Sequence, residues 1–199
     1  VVASTTGVPI LVERTMRWDS TGFGSHTDKA TDGAALKWYF AEGSEGFFKT
    51  FILLANPNVD GVGATVEYLL DGEPSITKGH GVLGQSRFTI PAEQDGLNGK
   101  NFGIIVTFDK PAIAERSMYF NSAARVLEGG HESAGVNELS TSWFLAEGAT
   151  GPFFETFILL ANPNAAAADA TVRFLPASGV PVVRQVSVPE KTIAPRESA

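Results

Sequence analysis

The octapeptide FILLANPN occupies residues 51–58 and returns at 157–164. A long internal repeat confines a chain to architectures in which like segments build like units. The similarity spreads outward from it. Trp38-Tyr39-Phe40-Ala41-Glu42-Gly43 aligns with Trp143-Phe144-Leu145-Ala146-Glu147-Gly148 at an offset of 105 residues. FFKTFILLANPN at 47–58 aligns with FFETFILLANPN at 153–164, and ATVEYLL at 64–70 with ATVRFLP at 170–176, both at an offset of 106.

The phase of the repeat is as informative as its existence. GIIVTFDKPAIAERSMYF at 103–120 aligns without a gap on VVASTTGVPILVERTMRW at 1–18, at an offset of 102. Pro111 falls on Pro9, Glu115-Arg116 on Glu13-Arg14, Met118 on Met16 and Phe120 on Trp18. The second copy runs to Ala199, which aligns with Glu93, so these residues include no second-copy counterpart of 103–120. The order is a closing hairpin, a full unit, then a unit without its closing hairpin.

Each unit reads as all-β. In the first copy, segments 37–41, 48–55, 64–70, 75–79, 86–90, 103–108 and 112–120 are rich in Val, Ile, Phe, Tyr and Thr. Turn formers bound them, among them Asn56-Pro57-Asn58, Asp71-Gly72 and Asp109-Lys110. Seven short strands in about 100 residues is the pattern of a β-sandwich, immunoglobulin-like or another Greek key. The expected organisation is a donor hairpin at 1–18, a linker at 19–36, a sandwich at 37–120, a linker at 121–142 and an incomplete sandwich at 143–199.

Composition closes off several classes of function. The net charge of −7 lacks the basic stripe that nucleic acid requires. No apolar run approaches the roughly 20 residues of a membrane helix, so membrane insertion is not expected. There is no cysteine, which removes disulfides and thiolate chemistry. The start VVASTT, with no Met and no basic leader, reads as a processed chain or a fragment.

The phase points to self-assembly. If hairpin 1–18 of one copy completes the second unit of its neighbour, the contact is heterologous and yields a head-to-tail polymer. The chemistry is strand addition to an exposed sheet edge. Ile10, Val12, Arg14, Met16 and Trp18 alternate onto one face, the expected donor face. Burying its four apolar side chains at about 1.5–3 kcal/mol each gives on the order of 6–12 kcal/mol before association costs. The expected acceptor residues are Trp143, Glu147, Phe157 and Leu159. An arginine on a core face needs a carboxylate. The expected pairs are Glu42–Arg116 within a subunit and Glu147–Arg14 across the joint.

At WYFAEG, FILLANPN and PAIAERSMYF the chain resembles a family of extracellular bacterial repeat proteins. Those proteins carry W-Y-F-A-E-G, then L-L-A-N-P, then a late I-V-A-E-R-x-M-Y strand. The resemblance covers 1–18 and 38–199. It implies a secreted, surface-displayed β-sandwich array without a catalytic role. The architecture is also similar to donor-strand filaments such as pili.

Candidate chemical sites are weak by comparison. Gly79-His80-Gly81-Val82-Leu83-Gly84 fits G-x-G-x-x-G, but no helix follows it to bind a phosphate. His26 and His131 occupy matching positions near Asp28 and Glu132, one histidine each, short of a metal set. Trp38 and Trp143 recur at a strand start and read as core rather than as sugar platforms. Asp60-Gly61 and Asp71-Gly72 lack the acidic cluster of a calcium loop. Ser4-Thr5-Thr6 and Ser140-Thr141-Ser142 are candidate positions for covalent glycans. No catalytic triad can be assembled, so neither an enzyme nor a cofactor is expected. The expectation is a structural subunit of an extracellular bacterial filament, with a copy of itself as partner. The alternative is an adhesin or carbohydrate-binding module of a surface array.

Overall fold

Alternating burial along the chain organises the fold described by a computed structural model, which covers residues 1–18, 24–123 and 125–194. The described residues are all-β, with no α-helix among them. The first strands, β1 (Glu13–Trp18) and β2 (Gly24–Lys29), form an antiparallel pair. They are followed by β3 (Ala35–Ser44), β4 (Phe48–Asn56), β5 (Val62–Leu70), β6 (Ile76–Val82) and β7 (Ser86–Pro91). A short 3-10 turn, Ala92–Asp95, leads to β8 (Asn101–Phe120), and β9 (Gly129–Ala134) lies beyond it. The remaining strands are β10 (Ala161–Asn162), β11 (Ala168–Phe174), β12 (Val182–Val188) and β13 (Thr192–Ile193).

The first unit is organised around β8. Its first half lies between β3 and β5, so that Val106 is flanked by Trp38 and Val66. Its second half lies between β4 and β9, so that Glu115 is flanked by Leu53 and Ala134. β6 extends the first sheet beyond β5, and β7 extends the second beyond β4. One strand is therefore central to both antiparallel sheets. Their inner faces enclose a core that includes Trp38, Phe40, Ile52, Leu54, Val66, Tyr68, Ile104, Val106, Ala112 and Ala114.

This corrects the expected hairpin at 103–120. Asp109-Lys110-Pro111 is not a turn. The chain stays extended and passes from one sheet to the other, as strands do at a sandwich corner. Asp109 Oδ1 accepts from the Gly63 amide at 2.9 Å, and Asn58 Nδ2 donates to the Pro111 carbonyl at 3.0 Å. Proline is tolerated because it lies between the last β5 pair, at Phe108, and the first β4 pair, at Ile113. By the same correspondence residues 1–18 match one long strand rather than a hairpin.

The segments 19–36 and 121–142, expected as linkers, each carry a strand, β2 and β9. Their composition, GSHTDK and GGHESA, is that of edge strands, where charge and glycine are tolerated. The two are equivalent. Met16 faces His26 in the β1–β2 pair, and Met118 faces His131 in the β8–β9 pair. The glycine motif at 79–84 begins inside β6, paired to β5, and His80 Nε2 lies 3.0 Å from Asp95 Oδ2.

The second unit keeps local pieces of the first. β11 and β12 pair from Ala168↔Val188 to Phe174↔Val182, the β5–β6 register displaced by 106 residues. β10 and β13 reproduce two pairs of the β4–β7 ladder at the same displacement. Residues 143–160 contain a lone bridge residue, Phe157, and no strand. Ile193 and Ala161 pack on Leu69 and Ile105, on the outer face of the first unit.

Candidate functional site

The shared octapeptide ends in a polar pin. Asn56 Nδ2 donates to the carbonyls of Asp60, Val82 and Leu83 at 2.8, 3.3 and 3.0 Å. Its Oδ1 accepts from the amide and side chain of Asn58 at 2.9 and 2.8 Å. Asn162 repeats every bond with residues displaced by 106, to Ala166, Val188 and Pro189 and from Asn164. Thr50 and Thr156 likewise each bridge their preceding turn, with Ser44 and with Ala149. These bonds are local in each unit, and none involves β8.

The bonds that do involve β8 have no partner strand in the second unit. Trp38 Nε1 donates to the Ala112 carbonyl at 2.8 Å, and the ring is 1% exposed. Its counterpart Trp143 is 61% exposed. Phe40 is 6% exposed and its counterpart Leu145 73%. Arg116 Nη1 donates to the Glu42 carbonyl at 2.8 Å and lies 3.6 Å from Glu42 Oε2. The counterpart Glu147 is exposed. The repeat alignment carries Ala112 onto Ile10 and Arg116 onto Arg14.

The donor face chosen from the sequence has buried counterparts. Ala112, Ala114 and Met118 are fully buried, and Arg116 nearly so. In the chain itself Ile10 is 58% and Met16 42% exposed. On the acceptor side, Phe157 and Leu159 correspond to Phe51 and Leu53 of the first copy. Their counterparts Phe51 and Leu53 are half-buried, on the outer face of β4, whereas Thr50, Ile52, Leu54 and Asn56 form its buried face. A second copy built like the first would turn Ile158 and Leu160 inward. The run FILLA is apolar at every position, so alternation could not assign its faces. The pinned asparagine supplies the missing signal, since Ile52, Leu54 and Asn56 share one side of the strand.

Arg14 has other partners within the chain. It meets Glu115 Oε2 at 3.0 Å and forms an ion pair with Glu132. His26 Nε2 lies 3.0 Å from the Tyr119 hydroxyl, and His26 Nδ1 lies 3.2 Å from Glu132 Oε2. Trp18 Nε1 donates to the Leu127 carbonyl at 2.5 Å, and its ring meets the Tyr119 ring edge-on. Burial raises Glu132 to about 7, Glu115 adds to the rise and Arg14 opposes it. Burial lowers His26, and Arg14 lowers it further. His131 contacts Arg116 instead, Nδ1 to Nη2 at 3.3 Å. The two histidines thus serve separate clusters, and no group of three metal-ligating side chains occurs among the described residues.

The fold and these contacts define an all-β protein in which β8 joins the strands of the first repeat, while the second repeat keeps only local strand pairs among the described residues. The sequence matches no family model and no curated protein. A solved structure, "Crystal Structure of Thermotoga maritima 1070", is similar over 53% of this chain and 96% of its own, at 12% identity and a TM-score of 0.49.

Proposed function

We propose that this protein is a structural subunit that assembles head to tail, residues 1–18 of one copy serving as the β8 of another copy's second unit. One observation carries the reading. β8 is the hydrogen-bonding partner of β3, β4, β5 and β9, and the strands absent from the second unit include those that would lean on its β8. A segment with the β8 pattern stands at 1–18, and the strands described in the second repeat include no counterpart of β8. Strand addition supplies backbone pairing along its length, and alternate side chains enter the core. Ile10, Val12, Arg14, Met16 and Trp18 are the donor residues. Trp143, Leu145, Glu147, Ile158 and Leu160 receive them, with Arg14 meeting Glu147 as Arg116 meets Glu42. The resemblance of WYFAEG, LLANP and AERSMY to extracellular bacterial repeat proteins favours a filament at a bacterial surface.

The test is assembly of the 199-residue chain against a chain lacking 1–18, followed by sedimentation and electron microscopy. Filaments are expected from the first only. A synthetic peptide of residues 1–18, added in excess, is expected to cap growth and raise the strand content of the shortened chain. Unchanged polymerisation of the shortened chain would overturn the proposal. So would a full chain that stays monomeric at every concentration, which would leave the acceptor to a further repeat of a longer polypeptide.

A further inference from the structure

The β1–β2 pair has two faces. Cross-strand partners point the same way, so Arg14, Met16, Trp18, His26 and Asp28 share one face. Glu13, Thr15, Arg17, Ser25, Thr27 and Lys29 share the other, where Thr15 and Thr27 join hydroxyls at 2.8 Å. The first face corresponds to the inward face of β8 and β9, the face of Arg116, Met118 and His131.

Part of that face is already occupied within the chain, although Met16 stays 42% exposed. Arg14 lies on Glu115 and Glu132, His26 on Tyr119 and Glu132, and Trp18 on Tyr119 and the Leu127 carbonyl. Glu115, Tyr119 and Glu132 belong to the outer face of the first unit, opposite in parity to Arg116 and Met118. The contact is well formed. The Glu132 side chain is 1% exposed and that of His26 3%. One face of one hairpin cannot lie against its own first unit and inside another copy's second unit at the same time.

We propose that the docked hairpin is an autoinhibitory latch, in which the first unit holds the donor face of β1–β2 and withholds it from other copies until it undocks. The inference rests on the head-to-tail reading. Arg14 is the residue that exchanges partners, Glu115 and Glu132 in the single chain for Glu147 in the assembly. Undocking is the step that sets the lag before growth, because a competent donor is only the undocked fraction of the chains.

Two variants weaken the latch without touching donor or acceptor. Glu115→Lys places a like charge against Arg14, and Tyr119→Ser removes the ring on which Trp18 and His26 rest. Two readouts are taken on the full chain. The first is tryptic cleavage after Arg14 in dilute monomer. The second is the lag of filament growth. Cleavage about tenfold faster and a lag about tenfold shorter are expected in both variants, the scale of losing one charge-assisted hydrogen bond. Unchanged cleavage would overturn the latch. Faster cleavage with an unchanged lag would overturn its control over assembly. Filaments from wild type and variants with equal lags refute the latch alone, whereas absence of filaments from all three refutes the head-to-tail reading and the latch's role with it.

Discussion

The two halves of the chain share an octapeptide, an asparagine pin, a threonine bridge and two strand registers, and yet only one half closes. Trp38 is enclosed and Trp143 is in solvent, although the residues around them in sequence are nearly the same. The first half has β8 against its Trp38, and the described residues place no such strand against Trp143. Hairpins β5–β6 and β11–β12 form in both units because their partners are close in the chain. β3 and most of β4 need a central strand that arrives from elsewhere. Local hydrogen bonds specify the pieces of this fold, and β8 turns the pieces into a core.

The sharpest way to break the comparison is a charge on the buried face of the octapeptide. Ile52→Asp is expected to unfold the first unit, a loss on the order of 5 kcal/mol for an unpaired buried carboxylate. Leu53→Asp, one residue on, is expected to cost about 1 kcal/mol or less, and urea unfolding distinguishes the two. In assembly assays Ile158→Asp is expected to abolish growth and Leu159→Asp to permit it. The reverse result would restore the Phe157 and Leu159 parity.

Next in size is the tryptophan pair. Trp38→Ala is expected to destabilise the first unit by about 3–5 kcal/mol, and Trp143→Ala in the monomer by less than about 0.5 kcal/mol. Equal losses would mean that the second unit is closed without a donated strand. Asn56→Ala orphans three carbonyls and is expected to cost about 2–3 kcal/mol. Asn162→Ala should abolish amide protection around Thr192 and Ile193 while leaving the first unit's stability unchanged, which hydrogen exchange resolves.

The smallest effect is on pH. His26 is held neutral by burial, so through His26 docking of the hairpin weakens as pH falls below the ordinary value of 6.5. Glu132 is raised from 4.5 to about 7, so the docked state takes up a proton there and docking weakens as pH rises through that window. The two slopes oppose each other, beside Arg14, Asp28 and Glu115. Wild-type docking is therefore expected to vary less with pH than docking in His26→Gln. His26→Gln should leave the Glu132 slope alone, docking that weakens with rising pH, measured on the indole N–H resonance of Trp18. A steeper acid-side loss in His26→Gln would refute the assignment.

Much of the first unit was legible because its strands alternate or begin and end at strong turn formers. Four features were not. Asp109-Lys110-Pro111 carries turn residues, but the bonds that keep it extended come from Asn58 and Gly63, about fifty residues away. β2 and β9 are polar edge strands whose signal is a partner's register rather than their own hydrophobicity. The buried face of β4 was hidden in the unbroken apolar run FILLA. The buried face of the second half of β8 was legible because Arg116 punctuates an alternating strand. The docking of the β1–β2 pair on the outer side of the first unit was illegible, since Glu115 and Glu132 look like ordinary surface charge until Arg14 and His26 are placed over them.

The position of β8 in its unit also sets a timetable. β3 to β7 leave the ribosome first, and the strand that joins them comes last, ending at Phe120. Until then Trp38, Ile52, Leu54 and Val66 have nothing to close against, and the nascent chain exposes sticky surface for the whole interval. The first unit is born open, and conditions that slow translation just short of Phe120 should raise its demand for chaperones.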